Sequence, residues 1–338
     1  MSVREITCND LGAYLDFRKK LWPGHAGAGC WEIVITKYFQ NPHRAQCPGS
    51  GLYGYFHGAC LAGTMGAYPM PVTLKDTAYP GHMLVDWAVL PEFRFGPVAG
   101  QLWGKLISLP GRKFGSVGTQ FSQAALEKRA KKIPAREATG LLSMSSGIAV
   151  KLLQPKRFSL ASPLHLDQLE IVPGVTLIEP CQVRGAVPVA TAAHVHRGAD
   201  FWQVFCESRL FNGAFPVRIV SEGEADIVLR LTEMGRFRFC TLLSVHLAPY
   251  TVAHARMAGR VLRNFLRRLK VGVLYATEVD EQLKAVVEST CRFVRRSEVY
   301  WWSIPTRADT FRHDEVSWWL TSADRDSIYG GVQPFDPR

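Results

Sequence analysis

The sequence predicts an α/β protein of mixed α+β sheets, built as two tandem domains, each a central, mostly antiparallel sheet flanked by helices. Three observations carry this. The chain has 338 residues, and at roughly 150 residues per domain that length suggests about two domains. Its apolar residues switch along the chain between three-and-four spacing and alternation, so it holds both helices and strands. The order of these segments in the first half recurs loosely in the second, as an internal duplication would leave it.

The elements follow in order. Val3–Thr7 reads as a short strand, and Asn9 or Asp10 can cap a helix whose apolar positions Leu11, Tyr14, Leu15, Phe17 and Leu21 recur at helical spacing. A second helix is expected over Cys30–Tyr38, before the turn-rich loop opened by Asn41-Pro42. Gly51–His57, Ala59–Met70 and His82–Leu90 are β-like and separated by Gly and Pro, which suggests an antiparallel meander. A helix through Leu109, a β-like run over Phe114–Phe121 and a basic helix over Gln123–Lys132 complete a first domain, residues 1–150. Residues 151–180 read as a linker, beginning KLLQPKRFSLASPL, and 181–330 as the second domain. In that domain Phe201–Phe211 has a helical period, and Val217–Val220, Ala225–Leu231 and Arg236–Leu247 are β-like. A helix capped by Thr251, a strand over Val271–Glu278, a helix from Asp280 to about Arg296, and strands near Val299–Ile304 and Val316–Leu320 follow.

Composition narrows the function classes. With 47% hydrophobic and 20% charged residues the chain folds rather than staying disordered. The start MSVREITCND carries no targeting signal and no later stretch is long enough to span a bilayer, so no membrane span and a cytoplasmic location are expected. Eight cysteines without a CxxC pair argue against a zinc knuckle or a disulfide framework. His194 and His196 have a metal-like spacing, but no third ligand is identifiable, so no metal is expected. The net charge of +11 favours anionic partners: nucleic acid, an acidic carrier protein, a phosphate-bearing cofactor or a lipid surface.

The most informative stretch is VLPEFRFGPVAGQL, Val89–Leu102, a strand end running through an arginine- and glycine-containing turn into an amphipathic helix. Free N–H groups at a helix start, reinforced by the helix dipole, suit a pyrophosphate or the phosphate of phosphopantetheine. Proline at the first helical position is sterically welcome but has no N–H, so Pro97 removes one donor and leaves Gly96, Val98, Ala99 and Gly100.

These residues and this order of elements resemble the GCN5-related N-acetyltransferase (GNAT) superfamily in its tandem, two-domain form. Its signature, Q/R-x-x-G-x-G/A, lies between the fourth strand and the third helix. Here Arg94 supplies the lead-in, Pro97 stands where the first glycine belongs and Ala99 falls on the last position. The resemblance implies an N-acyltransferase that moves an acyl group from acyl-CoA, or an acyl-phosphopantetheine carrier, to a small-molecule amine acceptor. It implies a donor site along Val89, Arg94, Gly96, Val98, Ala99 and Gly100. It also implies an acidic base on the fourth strand, for which Asp86 is the candidate, with His82 four residues before it and expected on the same face. The other reading of Asp86 is a hydrogen-bonded carboxylate at a strand kink, and that of His82 a surface histidine at the strand start. No tyrosine follows the fifth strand where the family often has its acid, which leaves Ser122 as a weak substitute. The equivalent turn of the second half, Leu247–His254, has no glycine, so that half is expected to have lost donor binding.

Arg256, Arg260, Arg263 and Arg267 recur at four, three and four, opposite a stripe of Ala258, Leu262, Phe265 and Leu269. The basic stripe reads either as a solvated surface or as a dock for an acidic acyl carrier protein or a tRNA, extended by Arg292, Arg295, Arg296, Lys128, Arg129, Lys131 and Lys132. Glu278, Asp280 and Tyr300 read as caps or buried groups before they read as site residues. Two function readings therefore stand beside acyl-CoA-dependent transfer: an aminoacyl-tRNA-dependent transferase of similar fold, and a GNAT-like binding protein without turnover.

Overall fold

The computed structural model describes residues 2–22, 29–74, 77–116, 130–142, 162–163, 172–184, 192–195, 197–207, 214–234, 237–278, 280–304 and 317–319. The chain forms two compact units, residues 1–133 with 301–316 and residues 134–300 with 317–338. The division thus falls earlier than the expected residue 150 and returns a late segment to the first unit. Part of the expected linker is strand, Val175–Leu177, and most of the remainder lies outside the described residues.

The first unit opens with β1 (Ser2–Glu5), a 3-10 turn, α1 (Leu11–Leu21), α2 (Gly29–Val34) and a π-turn over Ile35–Phe39. The meander follows: β2 (Gly51–His57), β3 (Cys60–Pro69), a short hairpin of β4 (Val72–Leu74) and β5 (Thr77–Tyr79), and β6 (Gly81–Val89). The helix α3 (Val98–Ile107) then leads to β7 (Arg112–Ser116). Strands β1, β2, β3 and β6 pair antiparallel in that order, and β7 joins β6 in parallel. Val98, Leu102 and Leu106, spaced by four, bury one face of α3 against Tyr53, Tyr55, Met65 and Ala67 of β2 and β3. Each such side chain contributes roughly 1.5–3 kcal/mol of apolar burial.

The second unit holds β8 (Lys131–Leu141), β9 (Ser162–Pro163), β10 (Val175–Leu177), β11 (Ala192–Val195) and α4 (Ala199–Glu207). Then come β12 (Ala214–Val220), β13 (Glu224–Met234), β14 (Phe237–Ala248), α5 (Val252–Arg268), β15 (Val271–Glu278) and α6 (Glu281–Thr290). Two more strands follow among the described residues, β16 (Phe293–Ile304), whose last four residues belong to the first unit, and β17 (Ser317–Trp319). Strands β12, β13 and β14 pair antiparallel, and β15 joins β14 in parallel through α5. The arrangement of β2, β3, β6, α3 and β7 is thus repeated by β12, β13, β14, α5 and β15, which is the duplication the element order suggested. In each unit the parallel strand carries one more antiparallel partner: Trp301–Ile304 of β16 on β7, and β8 on β15.

Two expected helices differ. Lys131 and Lys132 begin strand β8 rather than end a basic helix; its inward positions Ile133, Ala135, Ala138 and Gly140 nearly alternate, and Pro134 is unfit for a helix interior. Lys128 and Arg129 lie outside the described residues. Helix α6 stops at Thr290, where Cys291 turns extended, so Arg295 and Arg296 belong to β16, whose aromatic and β-branched run FVRRSEVYWWSI prefers strand.

The helices α5 and α6 pack at Gly259, where an added Cβ would lie 2.6 Å from the Val286 carbonyl oxygen and 2.8 Å from Ser289 Cβ. Among the described residues no helix is long and apolar enough to cross a membrane.

Candidate functional site

The site is built from a break in β6. Among the described residues its parallel ladder with β7 covers Gly81–Met83 against Arg112–Phe114, although β6 runs on to Val89 and β7 to Ser116. Beyond that point β6 carries a bulge: Val85 pairs with Gly66 and Ala88 with Thr64, so Asp86 and Trp87 together oppose Met65. Asp86 takes φ +52°, a left-handed conformation that an aspartate tolerates better than most residues. The Thr64 hydroxyl donates to the Asp86 carbonyl oxygen at 3.0 Å.

The bulge shifts the alternation of side chains. Leu84, Trp87 and Val89 all pack on the α3 side of the sheet, whereas Asp86 bonds residues of the π-turn. The expectation that His82 and Asp86 share a face therefore fails, because the extra residue inverts the strand between them.

Asp86 is held by two donors on one oxygen. Lys37 Nζ lies 2.9 Å and the Tyr38 hydroxyl 2.5 Å from Asp86 Oδ2. The lysine side chain is 3% exposed and the aspartate 26%. Tyr38 reaches across the sheet because position 66 is glycine; a Cβ there would lie 1.8 Å from its hydroxyl oxygen. Burial alone would raise the Asp86 carboxyl, but the Lys37 ammonium, the Tyr38 hydroxyl and, beyond them, Arg18 hold it below the ordinary carboxylate range. A carboxylate so stabilised is a weak proton acceptor. It is the hydrogen-bonded carboxylate at a strand kink.

His82 is fully buried rather than on the surface. Burial and then the charge of Lys113 push its pKa down to about 4, so the ring is neutral at physiological pH. Lys113 is buried too, donating to the Leu109 carbonyl at 2.5 Å, the Pro110 carbonyl at 3.3 Å and the Gly111 carbonyl. Ser122 lies outside the described residues.

The turn after β6 presents its donors as follows. Helix α3 begins at Val98 with Pro97 as N-cap, one residue later than expected. The Gly96 N–H is already given to the Phe93 carbonyl at 3.1 Å, and the first bond into the helix runs from Gln101 N to the Pro97 carbonyl at 2.9 Å. Among the described residues, that leaves the N–H groups of Val98, Ala99 and Gly100 without a backbone acceptor. A Cβ on Gly100 would meet nothing within 4 Å, so packing within the chain does not require glycine there. Arg94 is exposed and donates to the Val89 carbonyl at 3.4 Å.

The matching turn of the second unit is closed by its own groups. Thr251 Oγ1 accepts the His254 N–H at 3.2 Å, and Tyr250 bonds Asp280, which also caps α6 by accepting the Leu283 N–H at 2.8 Å. Glu278 is buried and forms a two-bond ion pair with Arg296, at 2.7 and 3.0 Å. Nothing is described of the Tyr300 side chain or of His196.

On α5, Ala258, Leu262, Phe265 and Leu269 are buried and Arg256, Arg260 and Arg267 exposed, as their spacing required. Arg263 departs from the stripe: its guanidinium donates to the carbonyls of Thr290 and Cys291 at 3.0 and 3.2 Å, capping α6.

No family model and no curated protein matches the sequence. The fold has clear relatives among solved structures. An Enterococcus faecalis protein described as a probable N-acyltransferase superposes with TM-score 0.56 at 10% identity, covering 89% of this chain and 71% of its own. A GCN5-related N-acetyltransferase from Anabaena variabilis gives 0.54 at 10% identity over 89% and 72%. The Saccharomyces cerevisiae N-myristoyltransferase with bound myristoyl-CoA gives 0.51 at 10% identity over 94% and 89%. At such identities the likeness establishes architecture, and the chain has the GCN5-related N-acetyltransferase fold in two tandem units.

Proposed function

We propose that the chain is an N-acyltransferase whose first unit binds an acyl-CoA. The observation that carries this is the set of N–H groups on Val98, Ala99 and Gly100 that have no acceptor among the described residues, opening α3 directly after a strand whose described parallel ladder ends at Met83. The open space at Gly100 is where a phosphate would approach the backbone. The myristoyl-CoA held by the yeast relative supports an acyl-CoA as donor. Acyl transfer then joins the acceptor nitrogen to the thioester carbonyl carbon, breaks the carbon–sulfur bond and releases the thiol, with the amine proton passing to solvent or thiolate. Asp86 serves as a positioning residue that fixes the bulge, since its carboxylate is committed to Lys37 and Tyr38.

Incubation with acetyl-CoA and longer acyl-CoAs, with a panel of primary amines, tests the reading through release of free thiol. Acyl-CoA that is neither bound nor consumed would remove it.

The exposed Arg256, Arg260 and Arg267 favour a second reading, in which the acyl group arrives on an acidic carrier protein or a tRNA. In that case Arg260→Glu lowers turnover with the carrier or tRNA and leaves turnover with free acyl-CoA unchanged.

A further inference from the structure

Among the described residues, no acceptor is hydrogen-bonded to the guanidinium of Arg18. Arg18 lies on α1, four residues after the buried Tyr14 and so on the same inward face, and it is 8% exposed. Its guanidinium stacks over the Trp22 ring at 4.1 Å. Its buried Nε has no hydrogen-bond partner, and among the described residues no acceptor or carboxylate pairs with the rest of the group. Its charge acts on Asp86, but that carboxylate is engaged by Lys37 at 2.9 Å and by Tyr38. Lys37 is thus paired with that carboxylate, whereas Arg18 makes no hydrogen bond to it.

Burying the inner part of a guanidinium without a partner is costly, and the terminal nitrogens of Arg18 remain available to an outside acceptor. Stacking on Trp22 and the favourable end of the α1 dipole offset only part of that cost. A planar fork of N–H donors with net positive surroundings matches a carboxylate in charge and in geometry.

We infer that Arg18, beside the Lys37–Asp86–Tyr38 cluster at the β6 bulge, binds a carboxylate carried by the amine acceptor, which makes the acceptor class an amino acid or a peptide end. This rests on the transferase reading for the word acceptor, but not for the anion site. A carboxylate on the acyl group is the other source of the same chemistry, and the test separates the two.

The experiment is ligand-observed NMR on the full chain with the proteinogenic amino acids and their methyl esters, without donor, on wild type, Arg18→Gln and Arg18→Lys. At least one amino acid should bind, its ester at least about tenfold more weakly, with Arg18→Gln losing the preference. Arg18→Lys keeps the charge without the fork and should bind more weakly than wild type. In the absence of ligand Arg18→Gln should melt no lower than wild type, because it removes an unpaired buried charge. Binding of acid and ester alike, no binding by any amino acid, or full binding by Arg18→Lys would overturn the inference. So would an Arg18-dependent preference for succinyl-CoA over butyryl-CoA without acceptor binding, which places the carboxylate on the donor. Calorimetry with CoA runs in parallel; amino-acid binding with no CoA binding would sink the transferase reading and leave the anion site standing.

Discussion

Asp86→Asn is the sharpest probe of the bulge, because asparagine keeps the left-handed backbone and the shape while deleting the charge. Lys37, 3% exposed, would then hold an ammonium 2.9 Å from a neutral amide. Breaking a fully buried pair costs about 3–5 kcal/mol, and the 26% exposure of Asp86 lets water reach the remaining charge, which reduces the expected loss to about 2–3 kcal/mol. Urea denaturation should show a lower midpoint with an unchanged slope. The double variant Lys37→Met with Asp86→Asn removes the stranded charge and should recover most of the loss, giving a coupling of about 1–3 kcal/mol. The sign with pH is fixed as well. The folded carboxyl lies below its unfolded value, so its contribution is present above the ordinary carboxylate range and is lost as pH falls through the folded value. Wild type should therefore lose more stability than Asp86→Asn between about pH 4 and lower. An Asp86→Asn variant as stable as wild type, or a double variant no better than the single, would refute the ion-pair argument.

Other substitutions test neighbouring links. Gly66→Ala should destabilise the first unit by pushing Tyr38 off Asp86, and Tyr38→Phe should relieve part of that clash, both read in the same denaturation assay. Gly100→Val should leave the thermal midpoint nearly unchanged, since its Cβ meets nothing, while calorimetry shows loss of CoA binding. Pro97→Ala restores an N–H at the helix start and should tighten CoA binding by up to about tenfold. Arg263→Ala should cost about 1–3 kcal/mol by stranding the Thr290 and Cys291 carbonyls, whereas Arg260→Ala should stay within about 0.5 kcal/mol of wild type.

The fold was legible wherever one period dominated. The meander follows from the β-like runs at Gly51–His57, Ala59–Met70 and His82–Leu90, and the inner stripe of α5 from Ala258, Leu262 and Leu269, which are apolar at fixed spacing. β8 was hidden because its inward positions are small and its start is basic, so charge spacing imitated a helix. The site was less legible because its key event is an irregularity. A bulge leaves no periodic signature, and a rule of alternation places His82 and Asp86 on one face when the extra residue separates them. Lys37 and Tyr38 were missed because the π-turn changes which residues of the helix point inward. Arg18 did leave a signal: it stands four residues after Tyr14, on the apolar stripe where a charge is out of place. Arg263 looked like part of the docking stripe because spacing cannot tell an exposed arginine from one that caps a neighbouring helix.

Acyl transfer by this chain requires that the start of α3 receive the donor. Backbone amide NMR of Val98, Ala99 and Gly100 during titration with CoA measures this directly. Saturable shifts concentrated on those three amides, absent in Gly100→Val, are the predicted result. CoA that leaves these amides unmoved, whether it binds elsewhere or not at all, would contradict the account.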